Sequence, residues 1–138
     1  MPYIQEIKYA LIILAAILAY KTLLQPSLRA KKAQLLDRYK RMQSFSLNMQ
    51  DRIINHVLKN DSMNEAFLNG QTYKIYIRDL QRRHALNLSD KQYKKFKKQN
   101  VVFFYFKVNR ILDRQSIRLQ KVAQDITHLD GFTSRQSC

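Results

Sequence analysis

The sequence predicts an α+β fold in three parts: an N-terminal transmembrane helix, a long amphipathic, coiled-coil-like helix, and a small α/β C-terminal domain. Three observations carry this. Tyr9 to Tyr20 read YALIILAAILAY without a charge. Residues 27–59 contain neither Gly nor Pro. Val101 to Val108 read VVFFYFKV, a β-branched and aromatic run, and a regular apolar stripe follows it. With two Gly and two Pro in 138 residues, an all-β fold rich in tight turns is disfavoured. The predicted divisions are 1–26 (anchor), 27–60 (stalk) and 61–138 (basic α/β domain).

The uncharged run is short for a bilayer, which needs about 20 apolar residues. Lys8 and Lys21 bound it, and both can snorkel toward an interface. Residues 4–24 then give about 31 Å of helix at ~1.5 Å per residue. Tyr3, Tyr9 and Tyr20 sit where an interfacial aromatic belt belongs. Pro26 is expected to break or bend the chain beyond it. A cleaved signal peptide and a buried helix of a soluble protein are the competing readings. Lys8 precedes the run, whereas Lys21, Arg29, Lys31, Lys32, Arg38, Lys40 and Arg41 follow it. The positive-inside rule therefore favours a cytoplasmic C-terminal part.

In the stalk, Leu28, Leu35, Met42 and Met49 recur every seven residues. Lys32, Tyr39, Ser46 and Ile53 form the companion row. One row is good and the other mixed. The pattern fits either an amphipathic helix packed on its own domain or a coiled coil with another chain. On the second reading Leu28, Leu35, Tyr39, Met42, Met49 and Ile53 are the partner-binding residues, in a homo- or hetero-oligomer.

Asn60-Asp61-Ser62 should end that helix, and Ser62 with Glu65 has capping-box spacing for another. Asn69-Gly70 should interrupt or bend it. Residues 71–85 place Tyr73, Tyr76, Ile77, Leu80 and His84 on one helical face, with a hairpin through Asn69-Gly70 as the alternative. Ala85 to Leu88 is expected as a short strand, residues 91–99 as a polar connection, and Val101 to Val108 as the clearest strand. Asn109 should cap a last helix with Leu112, Leu119, Val122, Ala123, Ile126 and Leu129 as its stripe. Gly131 should stop it, and Phe132 to Ser137 supply a last edge strand.

The net charge is +15, from 25 basic and 10 acidic residues. Such a field attracts anions: acidic lipid, an acidic protein or nucleic acid. Lys91, Lys94, Lys95, Lys97 and Lys98 surround Tyr93 and Phe96, and are the candidate anion-binding residues. No standard nucleic-acid motif is present, so nucleic acid ranks below lipid or protein. His56, His84 and His128 lack ligand spacing, the acids are scattered beside basic residues, and no glycine-rich phosphate loop occurs. No catalytic, metal or cofactor site is expected, and the expected class is non-enzymatic. Cys138 is the single cysteine, so no internal disulfide forms.

LAYKTLLQPSLRAKKAQLLDRY, YIRDLQRRHALNLS and VVFFYFKVNRILDRQSIRLQKVAQDI together resemble the bitopic alignment subunits of bacterial secretion and pilus machines. These are the M component of type II secretion (GspM-like) and the PilO-like proteins of type IV pili. The resemblance is one of pattern, over residues 15–130. It implies a truncated ferredoxin-like domain and a single-pass structural or assembly subunit of the bacterial inner membrane. Other membrane-protein subunits would bind through the stalk and C-terminal domain. It also implies a periplasmic domain, against the cytoplasmic side that the charges favour. The reading from a different class is a membrane-anchored basic protein that binds nucleic acid or anionic lipid, as a virion or organellar accessory protein would.

Overall fold

A computed structural model of the chain describes the backbone of residues 2–133 and the side chains of residues 2–129. It divides into two compact units at Leu35/Leu36. The chain is mostly helical, with one two-stranded sheet among the described residues.

The first unit holds α1 (Pro2–Ala19), a π-helical turn (Tyr20–Leu24) and the start of α2 (Gln25–Asn60). No residue of α1 is buried. The segment is long and apolar enough to cross a membrane. The break expected at Pro26 does not occur, because the helix changes register just before it. Gln25 N–H donates to the Tyr20 carbonyl, one residue further back than in an α-helix. Pro26, which has no N–H to give, then falls in the first turn after that register change. Thr22 Oγ1 donates to the Leu18 carbonyl at 2.7 Å.

The second unit is a bundle of α2, α3 (Tyr73–Asn87) and α5 (Val102–Thr133), with a hairpin and a short helix, α4 (Asp90–Lys98), between them. Met49, Ile53 and Val57 of α2, Tyr73, Ile77 and Leu80 of α3, and Val122, Ile126 and Leu129 of α5 form one apolar core. Each set recurs at steps of three or four residues, so each helix brings one stripe to the centre. The helical faces expected for residues 71–85 and 112–129 are those that pack.

The end of α2 lies where Asn60-Asp61-Ser62 placed it. Asp61 adopts φ +50, and Ser62 N–H reaches back to the Val57 carbonyl at 3.1 Å, the Schellman closure with Asp in the position glycine usually takes. No helix starts at Ser62. Glu65 N–H bonds the Ser62 carbonyl at 2.9 Å and the chain enters β1 (Ala66–Leu68). Asn69 (φ +51) and Gly70 (φ +76) turn it into β2 (Gln71–Thr72), with Ala66 opposite Thr72 and Leu68 opposite Gln71. Positive φ at both turn residues is the type I′ signature that Asn-Gly favours. Hairpin and helix, alternatives in the sequence, are both present in succession. Thr72 caps α3 by accepting from Ile75 N–H at 3.4 Å.

Five expectations for residues 85–133 are corrected. Ala85 to Asn87 continue α3, and Leu88 closes it through a bond to the His84 carbonyl at 2.7 Å. Residues 91–99 are not a polar connection: α4 occupies Asp90–Lys98. Val101 to Val108 is no strand, for α5 begins at Val102. Tyr105, Val108 and Leu112 are buried at steps of three and four, the spacing of one helical face. Asn109 lies within α5 instead of capping it, and α5 runs past Gly131 to Thr133. The described residues therefore contain no ferredoxin-like sheet. The expected edge strand at Phe132 to Ser137 begins in helix and otherwise, like Cys138, lies outside the described residues.

Candidate functional site

The five lysines sit on a defined helix. Ser89, with extended backbone, caps α4 by accepting from Gln92 N–H at 3.3 Å. Asp90 occupies the first turn, and Lys95, Lys97 and Lys98 the last, the arrangement the helix dipole favours. Lys91, Lys94, Lys95 and Lys98 recur at i, i+3, i+4 and i+7, so they share one face. All five lysines are exposed.

The opposite face anchors the helix. Phe96 is 2% exposed. Its ring lies 6.4 Å from Tyr39, 5.7 Å from Phe104 and 6.2 Å, edge-on, from Tyr105. Tyr93 packs on Tyr39 at 5.7 Å, and Lys40 Nζ sits 4.2 Å over the Tyr93 ring. Asp90 accepts from Gln43 Nε2 at 3.3 Å and faces Lys40 Nζ at 3.5 Å. Aromatic packing thus fixes which side of α4 meets water.

The stalk residues divide. Tyr39, Met49 and Ile53 are buried in the second unit, 0–3% exposed, and belong to its own interior. Of the two alternatives for the seam, packing on the chain's own domain holds for these three. Leu28, Leu35 and Met42 are half-buried. Tyr39 hydroxyl donates to the Asn87 carbonyl, and Gln43 Nε2 donates to the Leu88 carbonyl at 2.6 Å. These bonds satisfy carbonyls at the end of α3. Burial, with Asp90 adding to it, pushes the Tyr39 hydroxyl up to about 12. Burial likewise lowers the His84 imidazole, opposed by Asp90, where His84 Nδ1 meets Ser46 Oγ at 3.0 Å.

Sequence reasoning missed the start of α5. Phe103 and Phe106 are 77% and 71% exposed, and Lys107 and Arg110 follow one turn on. Reading Val101 to Val108 as a strand apolar on both faces conceals this. The signal available is charge: residues 91–112 hold seven basic side chains and no acidic one.

A second feature joins residues distant in sequence. A cleft of about 570 Å³ is lined by His56, Ser62, Glu65, Tyr73, Asp125 and His128 among others. Ser62 Oγ is buried there without a hydrogen-bond partner. Burial, then Glu65, raises the Tyr73 hydroxyl. Burial and Asp125, which accepts from Tyr76 at 3.2 Å, raise that of Tyr76. Among the described residues no group of three His, Cys, Asp or Glu side chains is arranged to hold a metal ion.

Comparison with family models, with curated proteins and with solved structures finds no match to this chain.

Proposed function

We propose that this chain is a non-enzymatic, single-pass membrane protein of structural or assembly type, and that its working surface is the basic face of α4. The observation that carries the reading is the pairing of an unburied apolar helix with a lysine face whose orientation is fixed by Phe96. Residues 4–24 anchor the chain, and the lysines engage a polyanionic partner. The fate of the stalk seam supports this weighting. Three of its six contact residues are buried in the chain's own interior, whereas all five lysines are exposed.

The span and long helix also support a role of the kind that bitopic alignment subunits play in secretion or pilus assembly. The charges after residue 20 favour a cytoplasmic second unit, and that family resemblance favours a periplasmic one. The test is alkaline carbonate extraction of membranes carrying the full chain, followed by capture in mild detergent. Retention in the pellet and salt-sensitive capture of an anionic partner support the reading. Release of intact chain into the supernatant contradicts the anchor.

A further inference from the structure

The acid-free stretch 91–112 is bounded by two carboxylates, and α2 engages both. Asp90 faces Lys40 and Gln43, and Asp113 accepts from Arg38 Nη2 at 2.6 Å. Arg38 Nη1 also donates to Asn109 Oδ1 at 2.6 Å. The seven cations between them face water with no carboxylate of their own segment among them.

The same stretch places apolar groups in water. Because Tyr105 and Val108 turn inward, Phe103 and Phe106 must turn outward on the helix. Val101, at the corner between α4 and α5, is 59% exposed. Lys107 lines two adjoining depressions. One it shares with Lys95 and the exposed Leu86, the other with Phe103, Phe106, Arg110 and Asp113, the carboxylate that Arg38 engages. Lys95, Lys107 and Arg110 thus adjoin the two rings along these depressions.

We propose that this surface docks on an anionic bilayer, with Phe103 and Phe106 entering the headgroup–acyl boundary and Lys95, Lys107 and Arg110 lying on lipid phosphates. Aromatic rings favour that boundary, and clustered cations are held by anionic headgroups. The charge complementarity selects an acidic surface, and the outward-standing rings select one that admits apolar side chains. The inference rests on the reading above, in which residues 4–24 keep the chain at a membrane. Tethering raises the effective concentration of the bilayer and so strengthens a weak second contact wherever the geometry permits both.

The sequence contains no tryptophan, so Phe106→Trp gives a unique reporter at an exposed position. The full chain carrying it is reconstituted into phosphatidylcholine vesicles with and without phosphatidylglycerol, some of the lipid brominated in the acyl chains. The expected result is blue-shifted emission and bromine quenching in the anionic vesicles. Both should be lost in pure phosphatidylcholine and weakened by added salt. Lys95→Gln, Lys107→Gln and Arg110→Gln together should remove most of the quenching. Leu58→Trp, at a position 68% exposed on α2, should stay in water. An indole at position 106 that remains in water in anionic vesicles overturns the inference, as does equal quenching at positions 58 and 106. If that chain still resists carbonate, only the docking surface fails. If carbonate releases the chain, the anchor fails, while quenching of the Phe106→Trp reporter by anionic vesicles alone still supports the surface. Shielding of that reporter by an oligonucleotide or acidic protein, with none by anionic lipid, assigns the face to another partner and contradicts the inference.

Discussion

The Tyr39 hydroxyl of α2 donates to the Asn87 carbonyl at the end of α3, and one turn further along α2 Gln43 donates to the Leu88 carbonyl. A side chain of the heptad seam and one on its flank therefore close the end of a neighbouring helix. Tyr39 also forms the floor on which Tyr93 and Phe96 of α4 rest. Tyr39→Phe keeps the ring and removes the donor. Leaving a part-buried carbonyl unsatisfied costs about 1–3 kcal/mol. The melting temperature should fall, and the lysine face should remain in place.

The same residue predicts an alkaline limit. The Tyr39 hydroxyl ionises near 12 in the folded chain, against an ordinary value of 10.0. A group whose folded pKa is raised contributes stability that is full below the unfolded value and is lost as pH rises through the folded one. Denaturation midpoints should therefore decline from about pH 10 to pH 12. Tyr39→Phe should flatten that decline but not abolish it, because Tyr73 and Tyr76 are raised as well.

His84 sets an acid limit of opposite sign. Burial lowers its pKa against the Ser46 hydroxyl, and Asp90 opposes the shift. The folded state thus favours the neutral ring. Its contribution is complete above the unfolded value of about 6.5 and declines as pH falls below it. Urea midpoints measured from pH 7 downward should drop for the wild type. His84→Gln should show a shallower drop.

Phe96 and the lysines separate seat from surface. Phe96→Ala removes a buried ring and should cost about 3–5 kcal/mol. Circular dichroism should show lost helix and a lower melting temperature, with anion binding lost as a consequence. Gly70→Ala tests the turn. An added Cβ meets nothing within 4 Å, so the cost is conformational, from φ +76, at about 1 kcal/mol.

How far the sequence can be read depends on whether a pattern has one physical explanation. The end of α2 at Asn60-Asp61-Ser62 and the stripe from Leu112 to Leu129 are legible, because turn chemistry and helical spacing agree there. Asn69-Gly70 announces its turn, but the strands it joins are only three and two residues long, and the chain enters α3 at Tyr73. Val101 to Val108 misleads because β-branched and aromatic residues fit a strand locally. Tertiary packing of Phe104 and Tyr105 on Phe96 decides for helix. The strand reading hides the exposed pair Phe103 and Phe106. Composition finds the lysine cluster but not its single face, which becomes visible only when Ser89 is recognised as an N-cap. The joining of His56 and His128 across one cleft has no local signal, since it arises from the packing of α2 against α5.

The most direct measurement of the central claim is equilibrium binding of the full chain, in mild detergent, to nanodiscs of anionic lipid across a salt series. It compares the wild type with the variant carrying Lys94→Gln, Lys95→Gln, Lys97→Gln and Lys98→Gln. These side chains are exposed, so the melting temperature should change little. The account predicts that the variant binds more weakly at low salt, and that the difference closes as salt rises. A variant that stays folded and binds as the wild type does at low salt contradicts the assignment of α4 as the working surface.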